Sequence, residues 1–248
     1  MVDRAKARGK GMQIGGAVPI GRRMCGRYVN FMSADDIKKV FGIDDVPEFG
    51  PKFNQAPGSK SPIVHLDENG KRVCTMMLWG LIPFWSKDGK VKFTSNAWAD
   101  KVRTSGSFRE PFKSRRCIVP VNGFYEWQET PTGKQPFYIT LQNSDVMVFA
   151  GIYDRWKNPE TGEIVQSFAI ITCDPNDMIA QLHNRMPVIL DESQWDAWLS
   201  PETNVFDAEK MLRAYPSELM RRQKVTKKVG NSRNEGPELI KPIDDDDG

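Results

Sequence analysis

The sequence predicts a single α+β domain, on three observations. Strand-length runs dominate its apolar patterning, helix signals are few and scattered, and no regular strand–helix alternation, internal repeat or linker divides the chain. The length of 248 residues fits one or two domains at about 150 residues each. With 39% hydrophobic, 27% charged and 10% aromatic residues, the composition is that of an ordinary globular protein and excludes a disordered or fibrous chain. The most apolar windows, 76–84 and 147–153, are strand-sized. No run approaches the roughly 18 apolar residues of a membrane-spanning helix, which excludes a transmembrane protein.

Residues 1–23 are glycine-rich and basic, with six Lys/Arg against one Asp, and show no helical or strand period. Their apolar patch is too short for a secretory signal, so they read as a flexible extension or a mis-assigned start. The domain itself is expected over 24–243, followed by an acidic tail at 244–248 that holds four consecutive aspartates. Residues 26–32 read as a strand. Ser33-Ala34-Asp35-Asp36 then has the form of a capping box that opens a helix through Ile37, Val40 and Phe41, stopped by Gly42. Further strands are expected at 62–66, 72–81, 117–126, 136–141, 146–153 and 167–172, with Thr130-Pro131-Thr132-Gly133 turning a hairpin. Asp174, with Pro175 at the first helical position, reads as the start of a helix through Leu182, and Asp191 as the start of one through Leu199.

The overall charge of +3 neither requires nor forbids nucleic acid. Cys25, Cys74, Cys117 and Cys173 are far apart, with no CxxC pair, and His65 and His183 are the only histidines. Metal sites and disulfide scaffolds need clustered ligands or regularly spaced cysteines, so no metal and no cofactor is expected. The thiols suit a reducing cytoplasm, with nucleoid association in a prokaryotic host.

A lone cysteine is usually a small buried hydrophobe, but the position of Cys25 gives it a second reading. If Met24 initiates translation and is removed, Cys25 carries a free α-amine beside its thiol. Their reference pKa values of about 7.7–8.0 and 8.5 leave both partly nucleophilic at neutral pH. Such an aminothiol condenses with an aldehyde to an imine and closes a five-membered thiazolidine through sulfur. His183 follows an expected helix beside Arg185, and is either a loop residue with a function or a satisfied structural histidine. His65 lies in an alternating strand and reads as structural. Glu126 interrupts Phe124-Tyr125-Glu126-Trp127: burial there would tune it as a general acid or base, whereas strand alternation could place it in water. Trp85 and Trp98, with Phe84, fall around Gly- and Pro-bearing segments where exposed rings stack on bases, while Trp79 reads as core. Asn96 stands at an expected helix start, where its plain role is a cap.

Eight segments occur in an order that resembles the SOS-response-associated peptidase family. They are Met24-Cys-Gly-Arg-Tyr28, Asn54-Gln-Ala-Pro57, Trp79-Gly-Leu-Ile-Pro83, Ser95-Asn-Ala97, Arg115-Arg-Cys-Ile-Val-Pro120, Gly123-Phe-Tyr-Glu-Trp127, His183-Asn-Arg-Met-Pro187, and Val229-Gly-Asn231 with Gly236-Pro-Glu-Leu-Ile240. The resemblance implies a curved, barrel-like β core with flanking helices, and a protein that binds single-stranded DNA and captures abasic sites. By the same resemblance Cys25 is the nucleophile that forms the thiazolidine. Glu126 shuttles protons, His183 assists sugar ring opening, and Asn96 holds the sugar in a pocket bordered by Thr172. Arg27 and Arg185 grip the flanking phosphates, Asn54 and Pro57 lie beside the strand's path, and Trp85 supports exposed bases.

Two features depart from that pattern. The family continues Asn-Ala-Arg, but this chain reads Asn96-Ala97-Trp98, which removes one phosphate contact. Either Trp98 stacks on a base, or it turns inward and Arg103 supplies the charge. The extension before Met24 would bury the Cys25 amine in a peptide bond, so translation starts at Met24 or the segment is removed, for example by autoproteolysis. Two other classes compete with lesion capture: a cysteine peptidase or self-processing hydrolase using Cys25, His183 and Glu126, and a lesion-binding module without catalysis.

Overall fold

A computed structural model describes residues 26–89 and 94–243. In chain order they form β1 (Tyr28–Asn30), α1 (Ala34–Phe41), β2 (Lys52–Gln55), β3 (Lys60–Leu66), β4 (Arg72–Trp79), β5 (Asn96–Trp98) and α2 (Arg109–Ser114). There follow β6 (Arg116–Val121), β7 (Gly123–Thr130), β8 (Gly133–Leu141), β9 (Met147–Lys157) and β10 (Ile164–Cys173). The chain continues through α3 (Asp177–Ala180), β11 (Met186–Pro187), α4 (Trp195–Leu199), α5 (Val205–Lys210) and β12 (Met220–Lys224). No helix among these residues is long and apolar enough to cross a membrane.

Strands β10, β4, β3, β6 and β9 pair in that order, and a long antiparallel β9–β10 ladder closes them into the expected curved, barrel-like core. Closure removes free edges from the most apolar strands. Eight consecutive residues of β9, from Met147 to Asp154, are buried. A second sheet, in the order β12-β8-β7-β1-β2, packs against the barrel. Strand alternation divides its residues between two faces. Tyr28 and Phe124 pack edge-on to Phe149 of the barrel. Val29, Tyr125 and Tyr138 join a separate apolar cluster with Val225, Val229 and Leu239 of the C-terminal segment.

The capping box forms as expected. Ser33 accepts from the Asp36 amide, Asp36 accepts from the Ser33 amide at 2.8 Å, and Gly42 ends the helix at φ +66°, a conformation that favours glycine. The hairpin also forms, with Thr130 opposite Gly133.

Four expectations need correction. The run 117–126 is two strands, β6 and β7, because Asn122 breaks it: its side chain accepts from the Phe31 amide and donates to the Asp145 carbonyl. The next residue must be glycine, since a Cβ on Gly123 would lie 2.4 Å from the Ile139 carbonyl oxygen. The helix expected from Pro175 is only the single turn of α3, capped by Asn176, because the Asp174 carboxylate pairs with Arg185 instead. Asn96 opens strand β5, parallel to β10, and not a helix. Strands β2, β5, β11 and β12 and helices α2 and α5 were not expected from the sequence. Near Asp191 a 3₁₀ turn (Glu192–Gln194) precedes α4, so that helix is split.

Candidate active site

Trp79 at the end of β4 joins the two sheets. It is fully buried, as expected of a core residue, with its ring 4.8 Å from that of Tyr28 on β1. Its indole N–H donates to the Ser95 carbonyl at 2.9 Å, and its own carbonyl accepts from the Gly58 amide at 2.8 Å. One residue thus fixes β1 and the residue before Asn96 through its side chain, and the turn containing Pro57 through its backbone. Tyr28 is held in turn by a 2.6 Å bond between its hydroxyl and Ser61, which also accepts from Gln55.

Five candidate residues converge at the end of β10. Asn96 is buried at the start of β5; Trp98 ends that strand opposite Thr172, and the Ala99 amide donates to the Thr172 carbonyl. The same carbonyl accepts from the Arg185 guanidinium at 2.8 Å. Arg185 also pairs with Asp174 at 3.0 Å and Asp100 at 3.2 Å, and lies 5.3 Å from the centroid of the Trp98 ring. Beside it opens a cavity of about 450 Å³ bordered by Asp100, Asp174, Arg185 and Arg213. His183 is tied into this corner, where its Nδ1 lies 3.1 Å from the Arg185 amide and 3.2 Å from the Arg185 carbonyl. These contacts exclude each other: Nδ1 accepts from the amide only when unprotonated, and donates to the carbonyl only when protonated.

On the other sheet Glu126 is buried at 3% exposure, which resolves its orientation. Phe124 and Glu126 share the barrel-facing side of β7, while Tyr125 and Trp127 pack on each other on the opposite side. Arg27 sits on that opposite side. Its guanidinium donates to Asn54 Oδ1 and to the Val229 carbonyl, each at 2.8 Å, and to the Gly230 carbonyl at 3.2 Å. Burial lowers its pKa. The Asn54 amide lies within 3.1 Å of the Val229, Asn231 and Asn234 carbonyls. Arg27 and Asn54 therefore clip the C-terminal segment onto β1 and β2, a contact that sequence reading did not anticipate.

Pro57 and Trp85 lie in exposed turns, and the Trp85 indole N–H donates to the Gly106 carbonyl at 3.3 Å. Trp98 does not turn inward: it is 41% exposed, with Lys101 Nζ 4.6 Å from its ring centroid. Arg103 does not replace the missing arginine, because it pairs with Glu209 and covers Phe206. Sequence reading missed Lys101, Asp100 and Asp174 as partners. Only the charge pattern next to Trp98 and Arg185 could have suggested them.

Cys25 lies outside the described residues. The other three cysteines are buried, and burial raises the Cys74 thiol to about 12, the Cys173 thiol to about 11, and the Cys117 thiol well above its ordinary value. None supplies appreciable thiolate at neutral pH. His65 is structural as expected, held by the Leu66 carbonyl and the Thr75 hydroxyl. No group of three or more His, Cys, Asp or Glu among the described residues could hold a metal ion.

A closed barrel flanked by a second sheet, carrying this motif set, defines a class, and the comparisons agree. The family described as SOS response associated peptidase (SRAP) matches residues 24–232, and the chain belongs to that family. It is 37% identical over 223 residues to "Abasic site processing protein YoqW" of Bacillus subtilis strain 168, covering 88% of this chain and 99% of that protein. It is 31% identical over 265 residues to "Abasic site processing protein HMCES" of Gallus gallus, covering 89% of this chain and 78% of that protein. A crystal structure of a protein from Bacteroides thetaiotaomicron is similar with a TM-score of 0.82 at 29% identity, covering 88% of this chain and all of that one.

Proposed function

We propose that this chain processes abasic sites in single-stranded DNA, capturing the lesion through Cys25 as an N-terminal aminothiol. The observation that carries the reading is the β1–β7 register. Tyr28 lies opposite Phe124, and the Tyr125 amide donates to the Arg27 carbonyl, so Gly26 falls level with the buried carboxylate residue Glu126. One peptide bond separates Gly26 from Cys25. The names of the relatives support the substrate.

In this reading the Cys25 amine adds to the aldehyde of the ring-opened sugar and loses water to form the imine. The sulfur then adds to the imine carbon, and its proton ends on nitrogen. Glu126 carries protons in these steps, and His183 helps to open the sugar ring. Asn96 holds the sugar in a pocket bordered by Thr172; Arg185 binds phosphate, as does Arg27 through the guanidinium N–H groups that its bonds to Asn54, Val229 and Gly230 leave over. The loop of Asn54 and Pro57 lies beside the strand's path, with Pro57, Trp85 and Trp98 exposed along it. The aminothiol requires residues 1–24 to be absent or removed, and self-cleavage at Met24–Cys25 is the role proposed for the family's peptidase chemistry. The proposed DNA-binding domain spans 24–243, in the cytoplasm.

The test incubates single-stranded oligonucleotides, with and without an abasic site, and reads a denaturing gel. Protein beginning at Cys25 should give an adduct only with the abasic strand, and Glu126→Gln should slow its formation by about a hundredfold or more while DNA binding persists. Equal adduct from protein retaining residues 1–24 would defeat the aminothiol mechanism, and activity on peptides in place of DNA would favour a cysteine hydrolase.

A further inference from the structure

We infer that a second, arginine-lined cleft binds the DNA strand on one side of the lesion, through its phosphates and one base. This inference rests on the single-strand reading above and extends it to a cleft outside the residues assigned to lesion capture; of its lining only Arg115 belongs to a segment shared with the family. The cleft, about 500 Å³, is lined by Phe84, Arg109, Glu110, Arg115, Asp154 and Arg155. Its floor is rigid. The Asp154 side chain, 3% exposed, accepts from the Phe84 amide at 3.0 Å and the Arg155 amide at 2.8 Å, and lies 3.3 Å from Arg115 Nε. The turn that carries Phe84 and Trp85 is pinned again where Trp156 donates to the Ser86 carbonyl at 2.8 Å.

The carboxylate is thus spent on holding the loop, while the arginines ring the opening. Among the described residues Glu110 pairs with Arg109, in an exposed contact at 3.6 Å, a kind that holds weakly. Phe84 is 56% exposed on this rim, an aromatic face among guanidinium groups. That pairing suits a base stacked next to phosphates.

Position connects the cleft to the proposed site. Phe84 adjoins Trp85, which is equally exposed and bonded to Gly106, three residues before Arg109. Asp154 pairs with Ser167 on β10, and Thr172 of the candidate site lies five residues further along that strand. At about 3.3 Å per residue the separation is about 17 Å, a reach of a few nucleotides.

The experiment measures fluorescence anisotropy with abasic oligonucleotides across a salt series. One oligonucleotide is just long enough for the lesion site, and two others are extended by thymidines on the 5′ or the 3′ side. Wild-type protein should gain affinity from only one of the extensions. The double variant R109Q/R155Q changes exposed side chains and leaves the Asp154–Arg115 pair intact. It should match wild type on the short strand, lose the gain on the extended one, and flatten the log affinity against log salt slope there by about 1.4 for two phosphates. Phe84→Ala should weaken binding of the extended strand by on the order of tenfold with its slope unchanged. If the double variant weakens short and extended strands alike, or neither, the cleft is not a strand site. Wild-type protein with no affinity for any single strand would remove this inference and the lesion-capture reading together.

Discussion

Two buried or half-buried guanidinium groups organise two different regions of this molecule, and their partners separate a structural role from the binding role proposed for Arg185. Arg116, at the start of β6, is 4% exposed and surrounded by backbone carbonyls: Phe112 and Lys113 at the end of α2, and Trp198, Ser200 and Thr203 in and after α4. Carbonyls cannot swing away, so this charge is locked into joining two helix ends to the barrel. Arg185 is also largely covered, but two of its partners are side chains, Asp174 at 92% and Asp100 at 58% exposure. Those carboxylates are rotatable and already wet, so a phosphate oxygen can replace them at little cost. Burial alone does not tell the two arginines apart; the mobility of their partners does.

The contrast breaks most sharply at Arg116. Arg116→Met should cost about 3–5 kcal/mol of unfolding free energy in urea, because it strands several buried carbonyls at once. A loss under about 1 kcal/mol would mean that water satisfies them and the region is not locked. Next in size is Arg185. Arg185→Gln should leave stability within about 1 kcal/mol of wild type, since its ion pairs have exposed acids. It should flatten the salt dependence of single-strand binding by about 0.7. Asp174→Asn should act oppositely, tightening binding by a few-fold as the competing carboxylate is removed. If Arg185→Gln unfolds the protein as readily as Arg116→Met, the two regions are alike after all.

What the sequence made legible follows the same division between local and distant partners. The Ser33 capping box and the Thr130–Gly133 hairpin were readable because their partners lie within three residues. Strands β3, β4, β8, β9 and β10 announced themselves by apolar runs, since each is buried in the barrel or against it. Strands β2 and β12, Lys-Phe-Asn-Gln and Met-Arg-Arg-Gln-Lys, did not, because they are sheet edges with polar sequences held by cross-strand pairing. Asp174 misled for a related reason: it has the chemistry of a cap, but its partner Arg185 is 11 residues away. For the proposed site, the motifs pointed to Asn96, Glu126 and His183, but not to the face that Glu126 occupies or the clip from Arg27 and Asn54 to the C-terminal segment. Those depend on strand pairing across more than 90 residues and on contacts across more than 170.

The smallest expected effect concerns Trp98, where the chain departs from the family's arginine. Its ring has Lys101 Nζ at 4.6 Å and the Arg185 guanidinium at 5.3 Å, within the range over which a cation is attracted to an aromatic face. Two roles follow, and they differ in magnitude and in salt dependence. A ring that only orients the two cations contributes about 0.5–1 kcal/mol as an exposed cation–π contact, and Trp98→Ala should then weaken binding by about two- to fivefold while flattening the salt slope. A ring that stacks directly on a base contributes about 1–3 kcal/mol, and its loss should weaken binding further at an unchanged slope. The 41% exposure leaves room for a base, but the cations already in place favour the orienting role. In either case Trp98→Arg should steepen the slope by about 0.7, restoring one phosphate contact. Anisotropy titrations of the wild-type, alanine and arginine proteins over one salt series separate the roles. Unchanged affinity and slope in the alanine variant would detach Trp98 from the DNA and show that Arg185 does not depend on the ring for its position.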